Sequence, residues 1–263
     1  DFARMESRLA SEVLLPRELT LIRRAAHENE CFFDESCYAG CFGVDSGGRH
    51  VLFLRILREL SALEQNLVQV FAANVSVAFE NLQLNQEIAQ THREVIFTLG
   101  EVVENRALVG GMHVRRVAEM AFLLAQKAGL AEDDCDLLRL AIPMHDVGKV
   151  AIPDSVLLKS GPLDEAERRI MDQHPRLGFD ILNRSGNHIM QAAARIALEH
   201  QEAWDGSGYP AGLKEEGIHV FSRIARVVDV LDSLLSERVY KKAWSVADAL
   251  RHLREQRGRM LDP

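Results

Sequence analysis

The spacing of apolar residues divides the chain into stretches of different character. Residues 1–30 carry apolar positions at helical spacing, interrupted by Pro16, and predict a helical segment. The pattern changes over residues 31–57. Cys31-Phe32-Phe33, Tyr38-Ala39-Gly40-Cys41-Phe42 and His50-Val51-Leu52-Phe53-Leu54 are apolar runs of strand length, and Ser46-Gly47-Gly48 between the last two is a hairpin signal. A helix with two or three strands in about 60 residues is little for an independent core. These residues predict part of a small α/β region of sensor type.

A long helical stretch follows, from Ser61 to about Val103, with no Pro and no Gly before Gly100. Ser61 followed by Glu64 is a capping box that fixes its start. Leu67, Val70, Val77, Leu84, Ile88 and Val95 fall near a 3.5-residue repeat, with Asn74 and Asn81 on the same seam. A parallel two-helix coil tolerates polar seam positions and uses them to set register. Two readings fit: a dimer stalk between sensor and output, or an amphipathic helix packed on its own domain. Beyond Gly100 the periodic segments are shorter: 113–128, 132–146, 163–184, 187–202, 219–236 and 245–257. No strand pattern recurs there, so the fold class expected is mainly α. A helical bundle is joined by a long helix to a small partial α/β region. Asp205-Gly206-Ser207-Gly208-Tyr209-Pro210 is its most conspicuous loop.

Composition narrows the function more than the fold. No run approaches the ~20 apolar residues of a membrane span. The net charge of -8 disfavours non-specific nucleic-acid binding. Cys31, Cys37, Cys41 and Cys135 match no common zinc spacing and suit free thiols in a reducing cytoplasm. The chain opens on Asp1 rather than Met, as expected of a piece of a longer protein.

The candidate chemistry lies in histidines set among acids. His113, His145 with Asp146, His174, and His200 with Glu202 stand in such contexts, and Asp229 and Asp232 share one face of a later helix. The apolar run Leu137 to Met144 leads straight into His145-Asp146, so that pair is expected to be partly buried. Buried charge must be paired or must bind metal. Each histidine alone fits a structural role. As a set they point to imidazole and carboxylate ligation without thiolate, which suits Fe, Mn, Zn or Ni. More than four candidate ligands imply two metals. Such a pair lowers the pKa of a bound water and clamps a phosphoryl oxygen.

Met144-His145-Asp146-Val147-Gly148-Lys149, Ile152-Pro153-Asp154, His174-Pro175, Glu199 to Pro210, and Arg238-Val239-Tyr240-Lys241-Lys242-Ala243 together resemble the HD-GYP family. The resemblance runs from about Gly100 to the end of the chain. It implies a helical HD fold and hydrolysis of cyclic di-GMP to pGpG or on to GMP. It also implies two or three divalent metals, Fe or Mn, held at Glu104, His113, His145, Asp146, His174, His200 and Asp229. By the same resemblance His145, Asp146 and Lys149 are the catalytic set, Lys149 lies close to the phosphate, and Arg238 and Lys241 surround the dinucleotide. The Tyr209 loop is associated with contacts to a GGDEF-type partner. Asn81-Leu82 to Thr98-Leu99-Gly100-Glu101 resembles the linker of response-regulator members, in which a GAF-like sensor precedes the output domain. The implied organisation is a GAF-like region at 1–60, a dimerisation helix at 61–99 and the phosphodiesterase at 100–263. Gln201 stands where the family usually has a second histidine, which favours two metals over three. The same departure admits an alternative: a degenerate module that binds cyclic di-GMP or its partner with little catalysis. Arg226 and Val228 replace small residues before Asp229, and Arg226 is expected to crowd or pair with a carboxylate.

Overall fold

A computed structural model describes residues 13–34, 36–45, 48–107, 112–237 and 242–263. The chain divides into two compact units, Asp1–Gln90 and Thr91–Pro263.

In the first unit, helix α1 (Pro16–Glu28) begins on Pro16, whose missing N–H costs nothing in a first turn. Strands β1 (Cys31–Asp34), β2 (Cys37–Asp45) and β3 (Gly48–Arg55) form an antiparallel sheet in sequence order. Tyr38 and Ala39 of β2 are buried, and Cys37↔Arg55 is a register pair. Arg55 grips the buried Glu18 of α1 through Nε at 2.6 Å and Nη2 at 2.8 Å, tying helix to sheet. Helix α2 (Ala62–Arg106) starts at the expected capping box: Ser61 N–H donates to Glu64, whose own N–H donates to Ser61 Oγ.

In the second unit the remaining helices are α3 (Met112–Lys127), α4 (Glu132–Ala141), α5 (Asp154–Leu157), α6 (Glu165–Met171), α7 (His174–Leu182), α8 (His188–Glu199), α9 (Val220–Leu235) and α10 (Val246–Glu255). Val114, Val117, Ala118 and Ala121 of α3 meet Leu138 and Ala141 of α4, Ala193, Ile196 and Ala197 of α8, and Ile224, Ala225 and Val228 of α9. The many alanines let helix axes approach closely, which brings polar residues at the helix ends within reach of one another.

Two helices expected to be continuous are broken, each at a proline. The segment expected at 132–146 stops at Ala141 and passes through a 3-10 turn, Ile142–Met144, that contains Pro143. The segment expected at 163–184 divides into α6 and α7, because Pro175 has no N–H for the carbonyl four residues earlier. Among the described residues no helix is long and apolar enough to cross a membrane.

Candidate metal centre

The breaks in the helices position the histidines. Met171 is the residue whose carbonyl Pro175 leaves free, and that carbonyl accepts His174 Nδ1–H at 2.8 Å. His145 follows the turn made by Pro143, and its Nδ1 donates to Ile142 O at 2.9 Å. His200 caps α8, with Nδ1 donating to Ala197 O at 2.9 Å. His113, in the first turn of α3, gives its Nδ1 proton to Asp232 Oδ2 at 2.6 Å. Carbonyls and carboxylates only accept, so all four rings carry hydrogen on Nδ1. A neutral ring then offers a lone pair at Nε2. The four imidazoles are anchored from behind in the manner of metal-bound histidines.

The Nε2 atoms converge. His113, His145 and Asp229 place one ligand atom each within 4.8 Å of the others, as do Asp146, His174 and His200. The sets are continuous, with ring centroids 6.0 Å apart for His113 and His145 and 5.2 Å for His145 and His200. His174 and His200 face each other Nε2 to Nε2 at 3.2 Å, and Asp146 Oδ1 lies 3.2 and 3.4 Å from those two nitrogens. Two lone pairs at that separation repel unless a cation is shared. Asp146 Oδ1, His145 Nε2 and Glu104 Oε2 are buried and have no hydrogen-bond partner. Unpaired buried acceptors of this kind are costly, and cations held by the two ligand sets would satisfy His145 and Asp146. The donor set, imidazole and carboxylate with no thiolate, fits a transition metal with catalytic rather than structural ligation.

The electrostatics agree. Burial alone would lower the basicity of His145, but Asp146, with Asp229 and Glu104, outweighs it and lifts the ring to about 9. His200 is also fully enclosed; there burial prevails and brings the ring down to about 4. Burial pushes Asp146 up, yet Lys149 and His145 hold it well below the usual carboxylate range. Burial raises Glu104 against the pull of Lys149. The pocket holds more carboxylate than Lys149 and Arg116 balance, which leaves negative charge for a cation to meet.

Local packing sets where these groups stand. Gly148 lies against α7: a Cβ there would fall 1.9 Å from His174 O and 2.6 Å from Gly178 N. That contact seats the 3-10 segment Val147–Ala151, with Lys149, beside His174. Gly100 likewise lets α2 pass over Pro143 O, 2.4 Å from a would-be Cβ, one turn before Glu104. Glu202, placed beside His200 by the sequence, braces the Tyr209 loop by accepting Ala211 N–H at 2.7 Å and Leu213 N–H at 3.0 Å. Tyr209 rests edge-on near His174, centroids 6.4 Å apart, and burial pushes its phenol to about 12.

Of the expected residues, His113, His145, Asp146, His174, His200 and Asp229 are brought together. Glu104 is buried beside them but reaches neither three-ligand set; its Oε1 lies 3.3 Å from Lys149 Nζ. Lys149 is also bonded to Asp146, so its ammonium is taken up by two carboxylates, as a buried cation requires. Arg238 and Lys241 lie outside the described residues. Arg226 pairs with no carboxylate, contrary to one of the two expectations for it; its Nη1 donates to the Gln201 amide oxygen.

Two positioning residues were not assigned a role from the sequence. Asp232 orients His113 and is itself held by Arg116 Nε at 2.6 Å. The signal was present, since Asp232 lies at i, i+3 from Asp229, but only the fold shows which imidazole it reaches. Arg106 donates to Lys149 O and Val150 O at 2.8 Å and to Ile152 O at 2.9 Å, binding the end of α2 to the segment that carries Lys149. Nothing in the spacing of Arg106 signals this.

Residues 98–263 match the HD domain family, and the chain belongs to it. Residues 1–88 match a domain of unknown function, DUF3369. The chain is 42% identical over 221 residues to 3'3'-cGAMP-specific phosphodiesterase 2 of Vibrio cholerae, covering 84% of this chain and 42% of that protein. It is 43% identical over 213 residues to the cyclic di-GMP phosphodiesterase response regulator RpfG of Xanthomonas campestris, covering 78% and 56%. A cyclic di-GMP phosphodiesterase of Thermotoga maritima is 40% identical over 170 residues, covering 65% and 46%. The chain thus spans about half the length of the curated relatives it matches.

Proposed function

We propose that this chain is a metal-dependent phosphodiesterase of cyclic di-GMP. The observation that carries the reading is the convergence of four imidazole Nε2 atoms and Asp146, with His174 and His200 facing each other at 3.2 Å. One cation is assigned to His113, His145 and Asp229, and a second to Asp146, His174 and His200, with Fe or Mn as the ions. Bound divalent ions supply Lewis-acid activation of water and of the phosphoryl group. The chain's own contribution is to hold four rings in one tautomer. Lys149 offsets the charge of Asp146 and Glu104, and Arg238 and Lys241 meet the dinucleotide. The named activities of the relatives support a cyclic dinucleotide as substrate, and the product is read as pGpG or GMP.

The test is turnover by Mn- or Fe-loaded protein over a panel of cyclic di-GMP, 3'3'-cGAMP and linear dinucleotides. Cyclic di-GMP is expected to have the highest kcat/KM, and Asp146→Ala to reduce its turnover by several orders of magnitude. Preferred cleavage of 3'3'-cGAMP would replace the substrate, and equal turnover by Asp146→Ala would refute the mechanism. The degenerate-module alternative rests on Gln201; it predicts binding of cyclic di-GMP without turnover in the same panel.

The N-terminal region is read as a GAF-like sensor that acts through a homodimer of α2 in the cytoplasm. Ala72 is buried, Phe79 lies 5.3 and 4.6 Å from the Phe42 and His50 rings, and Gln83 bonds His50. That face of the helix therefore serves its own sheet. Leu67, Val70, Val77, Leu84 and Ile88, at a/d spacing on the other face, are each more than half exposed. Sedimentation is expected to give a dimer, and Val77→Asp with Leu84→Asp a monomer. A monomeric parent chain refutes the stalk.

A further inference from the structure

Along α9, Arg226, Asp229 and Asp232 follow at three-residue intervals and share a face. Asp232 holds His113, and Asp229 belongs to the cluster with His113 and His145. Arg226 extends the same row toward the end of α8, where its guanidinium donates to the side chain of Gln201, next to His200. Tyr209 N–H in turn donates to Gln201 O at 3.2 Å, and the charges of Arg226 and Asp146 both act on the Tyr209 phenol. Arg226, Gln201 and Tyr209 therefore form one wall beside the Asp146–His174–His200 cluster.

The cations near the centre differ in what they have left to offer. Lys149 is bonded to Asp146 and lies 3.3 Å from Glu104. Arg116 is bound to Asp232. Arg226 makes no ion pair among the described residues: its one bond goes to a neutral amide, and its Nε is buried without a partner. With Nη1 taken by Gln201 and Nε buried, Nη2 is the donor this half-buried guanidinium has left for a phosphodiester oxygen or the acceptor edge of a guanine. The substrate class matters here. A cyclic dinucleotide carries two phosphodiesters, and when one lies at the metal cluster the remaining anionic and base groups must be met by the surrounding wall.

We infer that Arg226, held in place by Gln201, is a substrate-binding residue that receives an anionic or guanine oxygen of the cyclic dinucleotide at the rim of the His174–His200 cluster. This rests on the proposed phosphodiesterase reading and adds to it a contact outside the metal ligands. Gln201 then serves as a positioning residue for the guanidinium rather than as a metal ligand.

The test uses the full chain loaded with Mn. Arg226→Ala is expected to raise KM for cyclic di-GMP by about ten- to hundredfold, the range for a lost hydrogen bond to a charged group. Its kcat should stay within about threefold and its Mn content should match the parent chain. Arg226→Lys keeps the charge but loses the fork and should recover part of the KM. Arg168→Ala removes an exposed cation that also acts on Tyr209 and should leave KM within about twofold. Binding is measured separately by calorimetry with the bis-phosphorothioate analogue of cyclic di-GMP, where Arg226→Ala should weaken Kd by a factor similar to KM. An unchanged KM and Kd in Arg226→Ala, a matching rise in Arg168→Ala, or Mn content falling in step with activity would each overturn the assignment. Failure of the parent chain to bind the analogue would overturn it together with the phosphodiesterase reading. Parent turnover with an unaffected Arg226→Ala would overturn it alone.

Discussion

Replacing Asp232 by Ala tests whether the centre is built from behind. Asp232 is 2% exposed and its carboxylate accepts four bonds: from His113 Nδ1 at 2.6 Å, Arg116 Nε at 2.6 Å, Arg116 Nη2 at 2.9 Å and Ser236 Oγ at 3.1 Å. Removing it leaves the His113 N–H buried without an acceptor and frees the ring to turn or change tautomer. Loss of one partner from such a buried network costs about 3–5 kcal/mol in folding. Here the figure falls toward the lower end, because Arg116 is 44% exposed and regains water. Loss of the residue that orients a metal-bound imidazole lowers metal affinity by about 10- to 100-fold, or about 1.4 to 2.8 kcal/mol. Asp232→Asn keeps an acceptor for Nδ1–H and gives up the charge, so its loss of affinity should be smaller than that of Asp232→Ala. The assay is Mn affinity by competition with a chromophoric chelator, run beside thermal denaturation of the metal-free chains. If folded Asp232→Ala bound Mn within about twofold of the parent, the anchoring of His113 would have no bearing on the centre, and the reasoning would fail.

Other perturbations follow from the same structure. Gly148→Ala drives a methyl into His174 O and Gly178 N, both backbone atoms, and should destabilise the second unit by about 1–3 kcal/mol or more; an unchanged Tm would refute the contact. Arg106→Ala removes three donors from the Lys149–Ile152 segment and should cost about 1–3 kcal/mol. Amide exchange over 147–152 should then be faster than in the parent, and equal exchange would count against the brace. In the first unit Arg55 holds the Glu18 carboxyl down to about 2, below its ordinary 4.5. A carboxylate depressed on folding adds stability above its unfolded pKa, and that stability is lost as pH falls from about 4.5 toward 2. Acid denaturation of the parent and Glu18→Gln should therefore converge in that window, and parallel curves would contradict the linkage.

The helical output region, the short strands and the long connecting helix with its Ser61–Glu64 cap were legible in the chain, because periodicity and capping are local properties. So were the six residues that meet at the centre, since His and Asp stand out on apolar helices whatever their partners. Tertiary structure decided the rest. It ended two helices at Pro143 and Pro175 and used the interrupted backbone to turn His145 and His174 inward. It chose Asp232 as the acceptor for His113, 119 residues away, and gave Arg226 a neutral amide in place of a carboxylate. It also settled which face of α2 serves its own sheet. The physical reason is the same in each case. Local patterns fix the period and polarity of a segment, but a hydrogen bond between groups far apart in the chain depends on where packed alanines and close-approach glycines allow the helices to meet.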